Sequence, residues 1–337
     1  MMGYVVVHAG HDPRENLSVE EYLFDYVSRN NCFILYLWQN DPAVIIGRHQ
    51  NAYTECNLSY AKANGISVVR RKSGGGTVYH DLGNLNYTII TPREFYEIKR
   101  STKLIVTAMQ KLGIAAMVDG RNDICLKPNG EKISGNAYRS SSNAGMHHGT
   151  ILFNADFDAM EKLLSVSSAK LSKHGVRSTR SRVTNIFNHY PTLTISMIRE
   201  QIINEFETEY HLPNLSPLYD VTSADISPYI EKYCQDEWNI GLFSDYDIRL
   251  SKQFPWGNVV IGLTMKYEFP HNISIETDAL EIDGLEIAQI KINEELAKKT
   301  TDLAEIFSRN VFRYIESRVI ANDLVALFDK KLINGMI

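Results

Sequence analysis

The sequence predicts an α+β fold, with a mixed β-sheet and packed helices followed by a small α/β C-terminal domain. Apolar runs of strand and helix type alternate irregularly, without the repeated βαβ rhythm of a doubly wound parallel sheet. The 337 residues also exceed the commonest size of a single domain, and the pattern changes after Trp238. We therefore predict one domain over residues 1–246 and a second over 252–337, with a boundary near 245–251.

The first helix is predicted to begin at Ser18, because Glu21 three residues later would complete a capping box. An apolar face at helical spacing follows, through Val19, Leu23 and Val27. Strands are predicted at 33–38, 43–46, 67–71, 86–90, 124–126, 132–134, 150–153 and 259–269. Further helices are predicted at 95–112, closed by Gly113, from Asp156, and at 195–210, 294–308 and 323–332. Residues 165–185 and the proline-rich 213–228 are predicted to be loops.

Composition excludes several classes of function. A net charge of −5 and a pI near 6.1 disfavour a nucleic-acid partner. Apolar runs are too short to span a bilayer, so no membrane partner is predicted. Cys32, Cys56, Cys125 and Cys234 lie far apart, which favours reduced thiols over a disulfide framework or a zinc site. With no basic presequence, these features predict a cytoplasmic location.

The segment from Arg70 to Asp81 carries two arginines and a lysine directly before three glycines. Successive glycine N–H groups can converge on an anion, and neighbouring cations suit the same anion. This pattern favours a phosphate site, here on a nucleotide. The residues alone suit a β-hairpin turn with solvated basic side chains equally well. A P-loop and a Rossmann site are excluded, because neither GxxxxGK[ST] nor a helix-opening GxGxxG is present.

A second segment contains Asp123 and Lys132. Asp123 could hold Mg²⁺, which prefers carboxylate and phosphate oxygens together. Lys132 stands among strand-forming and small residues, so a held ammonium there could neutralise an α-phosphate and a carboxylate oxygen. Taken singly, such residues are more often a surface lysine and a turn aspartate.

Two further segments complete the pattern. His147 and His148 are adjacent on a predicted strand, so they should point to opposite faces and share no metal; we expect one buried and one exposed. The loop 165–185 holds five Lys or Arg residues, one His and no acidic residue. It could be a solvated loop, or a lid that closes over an anionic intermediate and excludes water.

Together these segments resemble the lipoate–protein ligase A family of the biotin/lipoate ligase superfamily. The matching motifs, in order, are VIIGRHQN (44–51), RRKSGGGTVYHDLGN (70–84), GRNDICLK (120–127), KISGNAYR (132–139), HHGT (147–150) and KHGVRSTRSRVTN (173–185). The likeness covers most of residues 1–250, and FPWG (254–257) is weakly similar to the family's C-terminal domain.

The resemblance implies a biotin-ligase/class II synthetase-like fold and an ATP-dependent, adenylate-forming ligase. Lipoate would become lipoyl-AMP with release of pyrophosphate, and the lipoyl group would then pass to one lysine of a partner. That partner would be a lipoyl domain of a 2-oxoacid dehydrogenase E2 subunit or a glycine-cleavage H protein. ATP and Mg²⁺ would be co-substrates, with no tightly bound cofactor.

The resemblance also implies the site residues. Lys132 would be catalytic and would contact both substrates, and Asp123 would lie close to Mg²⁺. ATP or the adenylate would be bound by Arg71, Gly76, Thr77, Val78, Tyr79, Arg177, Arg180 and Arg182. Lipoate would be bound by Arg70, Ser73, Gly74, Gly75, His80, Asn84 and His148.

Three other functions compete with this interpretation. An octanoyl or lipoyl transferase of the same superfamily would need no ATP, and Cys125 beside Asp123 could serve as its nucleophile. A biotin ligase is disfavoured, because its GRGRxGR loop is absent. A non-catalytic sensor of lipoate or its adenylate is disfavoured by the presence of Lys132 and Asp123.

Overall fold

The computed structural model describes residues 1–7, 10–120, 123–164, 183–212, 214–217, 221–241, 246–266, 269–280, 282–298 and 303–332. They form two compact units. The first comprises residues 1–46, 52–72 and 77–240, and the second comprises 47–51, 73–76 and 241–337. The roles assigned to residues 1–246 and 252–337 stay predictions.

The first unit is built on an eight-stranded mixed sheet. Its strands are β1 (Gly3–Val7), β2 (Phe33–Trp38), β6 (Asn84–Pro92), β7 (Ala116–Asp119), β8 (Asp123–Leu126), β9 (Glu131–Ser140), β10 (Ala144–Leu152) and β11 (Ser216–Pro217). Their order across the sheet is β11-β1-β2-β6-β10-β9-β8-β7. Strand β1 runs parallel to both of its neighbours, and every other neighbouring pair is antiparallel. The predicted mixed sheet with packed helices is confirmed.

A smaller sheet of order β4-β3-β5 completes the strands of this unit, with β3 (Ala43–Ile46), β4 (Ser67–Arg70) and β5 (Val78–His80). Its helices are α1 (Pro13–Asn30), α2 (Ala52–Glu55), α3 (Leu58–Ala63), α4 (Ile98–Lys111), α5 (Phe157–Leu163), α6 (Ile186–His189), α7 (Ile195–Tyr210), α8 (Ser223–Cys234) and α9 (Asp236–Asn239). A 3₁₀ turn spans Arg93–Phe95. No helix within the described ranges is both long and apolar enough to cross a membrane.

Helix α1 begins earlier than predicted. The Asp12 side chain accepts the Arg14 N–H at 2.7 Å, and Pro13 occupies the first turn, where its missing N–H costs nothing. Ser18 is buried inside the helix, and its hydroxyl donates to the Arg14 carbonyl at 2.7 Å. The predicted cap at Ser18 is therefore wrong, because the Ser18–Glu21 pair imitates a capping box within a continuing helix. Residues 223–234, partly predicted as loop, also form a helix, which contains Pro228.

Helices α4 and α7 cover one face of the eight-stranded sheet. Their buried residues, such as Ile105 and Ile202, pack against Leu35, Tyr87 and Ile89 of the central strands. Helix α1 covers part of the opposite face, where Leu23 and Val27 pack against Tyr36 and other strand residues. The sheet is thus buried on both faces, and polar side chains on the α1 side are removed from water.

The second unit contains a three-stranded antiparallel sheet, β12 (Ile248–Phe254), β13 (Gly257–Lys266) and β14 (Phe269–Thr277). Its helices α10 (Leu285–Leu296), α11 (Leu303–Tyr314) and α12 (Arg318–Leu332) share one apolar core with the sheet. The single helix predicted over 294–308 is wrong. Apolar residues recur at helical spacing on both sides of the interval between α10 and α11, so periodicity alone could not separate the two helices.

Candidate active site

The central strand β6 divides its side chains between the two faces of the sheet. Leu85, Tyr87 and Ile89 enter the apolar core beneath α4 and α7. Asn84, Asn86 and Thr88 alternate with them and face the opposite side, yet each is at most 1% exposed. Buried polar groups need partners, so this second face is built to bind something polar or to hold a polar network. We call it the polar face.

Strand register extends the polar face across the sheet. In β10, His148 lies opposite Thr88 and Thr150 lies opposite Asn86. In β9, the Gly135 N–H donates to the Thr150 hydroxyl at 3.2 Å. Gly135 in turn pairs with Asp123 of β8. Polar groups therefore run continuously from the centre of the sheet to the strand that carries Asp123.

A β-bulge places Lys132 on this face. Lys132 pairs with Cys125 and Gly135 pairs with Asp123, so three steps along β9 match two along β8. In a regular strand, residues three apart point to opposite faces, and the extra residue cancels that alternation. Lys132 Nζ then lies 2.8 Å from Asp123 Oδ1, and both side chains are partly exposed. The sequence could not reveal this register.

Gly135 makes room for the lysine side chain. A Cβ at Gly135 would lie 3.0 Å from Lys132 Nζ and 3.1 Å from its Cε. The ammonium thus rests against the glycine backbone, and the Lys132 carbonyl accepts the Thr184 N–H at 2.9 Å. Lys132 is held rather than free, as its sequence context predicted.

His148 belongs to a buried hydrogen-bonded chain. Glu20 of α1 accepts from His148 Nδ1 at 2.7 Å and from the Thr88 hydroxyl at 2.6 Å, and the Trp38 indole N–H donates to Thr88 at 3.1 Å. Burial opposes ionisation of Glu20, but the charge and hydrogen bond of His148, with Thr88 and Arg139, lower the pKa of Glu20 below its usual value. A buried carboxylate therefore orients His148.

Arg71 and His80 interact electrostatically with members of the hydrogen-bonded chain that contains Glu20 and His148. Burial lowers the pKa of Arg71 to about 10, while the negative charge of Glu20 opposes that shift, so the guanidinium stays charged at neutral pH. Burial, together with the positive charges of Arg71 and His148, lowers the pKa of His80 to about 3. The structure thus brings Arg71, His80 and His148 together, with a neutral imidazole beside a buried cation.

Some buried polar atoms of this region lack a partner within the described part of the chain. They are Nε2 of His80, Oδ1 of Asn84 and Nδ2 of Asn86. The Asn84 Nδ2 group donates to Asn86 Oδ1 at 2.9 Å, which leaves the other polar atom of each amide without a bond in this pair. Such unsatisfied groups are costly in a folded protein and cluster where a ligand supplies the missing bonds.

Arg70 is fully buried and has a structural task. Its Nε donates to the Trp238 carbonyl at 3.0 Å, and its Nη2 donates to the Asn239 carbonyl at 3.1 Å. The Trp238 indole N–H donates back to the Arg70 carbonyl at 2.9 Å. The predicted lipoate contact of Arg70 stays a prediction.

The segment Ser73–Gly76 belongs to the second unit. The Gly75 N–H donates to the Ala279 carbonyl at 2.8 Å, and Gly75 has φ +83°, which favours glycine. A Cβ at Gly74 would lie 2.4 Å from the Ala279 oxygen. Two glycines are thus required by the close approach of another backbone segment. Ser73 is buried and its carbonyl accepts the Arg48 N–H at 2.9 Å. The hypothesis that three amides converge on an anion is not supported at Gly75.

Gly76 is exposed, and Thr77 and Val78 are half-buried. Tyr79 is buried and lines a cavity of about 500 Å³. Three carboxylates line that cavity, Asp12, Asp41 and Asp156, which makes it unsuited to phosphate. The predicted nucleotide contacts use the backbone of these residues and stay predictions, as do those of Arg177, Arg180 and Arg182, which lie outside the described residues.

The donor set at Asp123 suits Mg²⁺ only in the company of phosphate oxygens. Within the described residues, no group of three or more His, Cys, Asp or Glu side chains could hold a metal ion. Mg²⁺ is commonly held by one or two carboxylates plus substrate phosphates. Asp123 could supply that single carboxylate.

The two adjacent histidines point to opposite faces, as predicted, but both are buried, at 1% exposure for His147 and 7% for His148. The expectation of one exposed histidine is wrong, because helices cover both faces of the sheet. His147 Nε2 lies 2.9 Å from Asn136 Oδ1 and its Nδ1 lies 2.7 Å from the Ser101 hydroxyl. Both ring nitrogens are satisfied, and His147 is a core residue.

Sequence reasoning missed Glu20, Thr88 and Trp38. A signal for Glu20 existed, since it lies three residues before Leu23 on the apolar face of α1, where a charged residue needs a partner. Thr88 had no such signal, because alternating polar residues in a strand normally indicate a solvent-exposed face.

The sequence matches a known protein family and its members. The family model described as Lipoyl protein ligase A/B catalytic domain matches residues 12–207. Lipoate-protein ligase A of Blochmanniella floridana is 34% identical over 295 residues, which cover 86% of this chain and 85% of that protein.

Solved structures share the fold. LipL1 of P. falciparum, in complex with lipoate, has a TM-score of 0.78 at 24% identity, covering 97% of this chain and 99% of that chain. The bi-partite lipoate protein ligase of Thermoplasma acidophilum, described with its E2 lipoyl domain, has a TM-score of 0.65 at 28% identity, covering 74% and 100%. A lipoate-protein ligase A bound with ATP has a TM-score of 0.63 at 27% identity, covering 72% and 100%.

Proposed function

This chain belongs to the lipoyl protein ligase A/B catalytic domain family, and we propose that it is an ATP-dependent lipoate–protein ligase. It activates lipoate as lipoyl-AMP with release of pyrophosphate, and then transfers the lipoyl group to a lysine of a partner protein. The observation that carries the proposal is the held ammonium of Lys132, which shares the polar face with Asp123 and His148.

The first step needs charge neutralisation rather than a protein nucleophile. A carboxylate oxygen of lipoate attacks the α-phosphorus of ATP, the bond to the β-phosphate oxygen breaks, and pyrophosphate leaves with that electron pair. Negative charge from the carboxylate and the phosphate meets in one place. Lys132 neutralises it, and because Gly135 and the bulge fix the ammonium, little reorganisation accompanies the step. Arg71, buried and charged, directly follows β4, and its Nη1 donates to the Ile45 carbonyl at 3.2 Å; we assign it to a phosphate of ATP.

Lipoate binds on the polar face, with its carboxylate toward Lys132. His80, Asn84 and His148 offer buried polar groups there, and Trp38 offers apolar ring surface on the neighbouring strand. Unsatisfied atoms of His80 and Asn84 support this assignment, because a bound ligand would complete their hydrogen bonds. Arg70, Ser73, Gly74 and Gly75 keep their assignment to lipoate, and Gly76, Thr77, Val78 and Tyr79 theirs to ATP, from the resemblance alone.

Mg²⁺ enters with ATP, and Asp123 would hold it together with phosphate oxygens. The ion supplies additional neutralisation of phosphate charge. In the structure the Asp123 carboxylate pairs with Lys132, so arrival of ATP and Mg²⁺ would exchange this ion pair for contacts to substrate.

In the second step, the neutral amine of the acceptor lysine attacks the carbonyl carbon of lipoyl-AMP. An amide bond forms, AMP leaves, and the amine loses a proton. The acceptor is a lipoyl domain of an E2 subunit or a glycine-cleavage H protein, and an E2 lipoyl domain accompanies the bi-partite ligase of Thermoplasma acidophilum. The basic loop with Arg177, Arg180 and Arg182 would cover the adenylate, and we assign the reaction to the cytoplasm.

One assay tests the proposal. The protein is mixed with lipoate, Mg²⁺, ATP and a lipoyl domain, and pyrophosphate and acceptor mass are measured. We expect equal amounts of pyrophosphate and lipoylated acceptor, both dependent on ATP. A lipoyl domain with its acceptor lysine changed to arginine is the control, and it should remain unmodified. Absence of ATP-dependent modification would contradict the proposal.

The transferase alternative has one observation in its favour, since Cys125 lies opposite Lys132 in the strand register. Against it, Cys125 is only 2% exposed, which leaves little access for a carrier-bound acyl group. Acceptor modification from an octanoyl carrier protein without ATP, abolished in Cys125→Ser, would establish the transferase. Binding of lipoate without modification under either condition would establish the sensor.

A further inference from the structure

A buried chain of side chains ends at His80. The Tyr36 hydroxyl donates to Asn16 Oδ1 at 2.8 Å. Asn16 Nδ2 lies 2.8 Å from Asn40 Oδ1, and Asn40 Nδ2 lies 3.1 Å from His80 Nδ1. Each of the four residues is at most 4% exposed. Asn16, Asn40 and Tyr36 lie outside the motifs that carry the family resemblance.

Backbone carbonyls fix the direction of every bond in this chain. Asn16 Nδ2 is 2.9 Å from the Gln39 carbonyl oxygen and 3.2 Å from that of Gly10. A carbonyl only accepts, so this end of the Asn16 amide must be the NH₂ group. An NH₂ group of Asn40 at 2.8 Å would bring two donors together, so the Asn40 atom that faces Asn16 is the acceptor Oδ1. It shares the two hydrogens of the Asn16 NH₂ group with the carbonyls, and the Asn40 NH₂ group then faces His80.

The tautomer of His80 follows from this order. Because Asn40 donates, His80 Nδ1 must accept and carries no hydrogen. In a neutral imidazole the hydrogen is then on Nε2. Burial, with the positive charges of Arg71 and His148, lowers the pKa of His80 to about 3, so the ring is neutral at physiological pH. Nε2–H is thus a buried donor, and no partner for it lies among the described residues.

We propose that Asn40, held by Asn16, is a positioning residue that keeps His80 as its Nε2–H tautomer and so presents a neutral donor to a carboxylate oxygen of the acyl substrate. The identity of that substrate rests on the proposed function. Arg71 and His148 are the charged or titratable groups that act on His80. A neutral donor beside Arg71 adds a hydrogen bond to the substrate without a further buried cation, which would cost desolvation and repulsion.

The first measurement needs no substrate. In the full-length protein with ¹⁵N-labelled histidine, ring nitrogen shifts distinguish a protonated from an unprotonated nitrogen. The His80 signals are assigned by their loss in His80→Gln. We expect hydrogen on Nε2 alone, unchanged between pH 5 and pH 8. Hydrogen on Nδ1 would overturn the proposal.

The decisive variant is Asn40→Asp, which keeps the shape of the side chain. One carboxylate oxygen still accepts from Asn16, but the other can only accept from His80 Nδ1–H. The neutral ring then presents a lone pair at Nε2, and its pKa rises beside the new negative charge. We expect the KM for lipoate at pH 8 to rise by about tenfold to a hundredfold, the size of a lost hydrogen bond to a charged group. The KM for ATP should change by less than about threefold.

A pH profile separates this role from a general loss of structure. As pH falls, the His80 ring of Asn40→Asp gains a proton and Nε2 becomes a donor again, so the KM for lipoate should fall toward the wild-type value. A damaged fold would not recover in this way. An unchanged KM in a variant whose NMR spectrum shows the switched tautomer would contradict the proposal.

Tyr36→Phe is the matched control. It removes the outermost hydroxyl but leaves the carbonyl contacts that orient Asn16, so the tautomer should persist and the KM for lipoate should change by less than about threefold. If Asn40→Asp does not fold, the tautomer of the wild type still decides the assignment. Failure of the wild type to use lipoate would count against the ligase function, whereas a wrong tautomer would count against the positioning role.

Discussion

The two faces of the eight-stranded sheet are made from the same strands but differ in how their amide and imidazole groups are satisfied. Beneath α4 and α7, apolar side chains such as Leu85 and Ile89 fill the core. The single histidine of β10 on that side, His147, has partners at both ring nitrogens. On the polar face, buried atoms of Asn84 and Asn86 lack partners among the described residues, as does Nε2 of His80, which reaches this face from the smaller sheet and packs against Trp38.

This difference separates stability from function within one sheet. A core histidine with both nitrogens satisfied ties a strand to a helix and needs nothing from outside the protein. Unsatisfied donors and acceptors make the folded protein less stable than it could be, and a ligand that completes their bonds gains the corresponding free energy. Substitutions on the polar face should therefore change activity, and substitutions on the apolar face should change the free energy of unfolding.

The largest effect is expected for Lys132→Ala on the polar face. Removal of a preorganised charge that stabilises the transition state should lower the rate of adenylate formation by about a thousandfold, while the unfolding midpoint changes little. The measurement is lipoate-dependent pyrophosphate release, with a urea unfolding curve of the same protein. Lys127→Ala removes an exposed lysine nearby and is the control. Activity of Lys132→Ala within tenfold of wild type would remove Lys132 from the mechanism.

The matching substitution on the apolar face is Ile89→Ala. Ile89 is 1% exposed and lies opposite Leu35 and His147 in the neighbouring strands. Deletion of its buried methyl and methylene groups should lower the free energy of unfolding by about 2–5 kcal/mol. The KM values of the remaining folded protein should stay within about twofold. Leu82→Ala, at an exposed leucine, should change neither quantity. A large change in KM for Ile89→Ala would contradict the separation of the faces.

Much of the fold was accessible from the sequence where local patterns and tertiary structure agree. The helix predicted over 195–210 has those bounds, because Thr194 caps it and apolar spacing continues to its end. Asp156 caps a helix as expected. The prediction of where α1 begins was wrong because the sequence contains two capping signals. The Asp12–Pro13 pair marks the actual start of the helix.

The candidate site was less accessible, since its geometry depends on register and on burial from another element. The sequence located Lys132 and Asp123, but their 2.8 Å contact requires a bulge that no local pattern marks. The alternation of Asn84, Asn86 and Thr88 with apolar residues predicted a strand correctly. It could not indicate that α1 and its neighbours bury the polar side as well.

Gly135→Ala should have an intermediate effect on the polar face. The new Cβ would lie 3.0 Å from Lys132 Nζ, so the flexible end of the lysine must move by a few tenths of an ångström while the backbone stays in place. We expect kcat to fall by about tenfold, since small displacements of a preorganised charge weaken transition-state stabilisation. The unfolding midpoint should remain near that of the wild type.

A double-mutant cycle shows whether Gly135→Ala lowers kcat by displacing the Lys132 side chain. If Gly135→Ala acts through the lysine, it should add nothing to the loss already caused by Lys132→Ala. Additive losses in the double variant would show that Gly135 contributes through the strand rather than through the ammonium, and the bulge would then have a purely structural role.

The smallest effect on activity is expected for His147→Gln, whose signature should be a changed dependence of stability on pH in acid. Burial and the charge of His148 lower the pKa of His147 to about 3, below the value of about 6.5 in an unfolded chain. The unfolded state therefore binds the proton more readily. This contribution to stability is complete above about pH 6.5 and is lost at about 1.4 kcal/mol per pH unit as the pH falls toward 3. His80 adds a similar slope from the polar face.

Urea unfolding at pH 4.5, 5.5 and 7 gives the slope of the unfolding free energy against pH. In His147→Gln this slope should be smaller by the equivalent of about one proton. The KM values at pH 7 should be unchanged, because the substituted ring serves only the core. An unaltered slope would mean that His147 is charged in the folded protein and is not the neutral core residue assigned to this face.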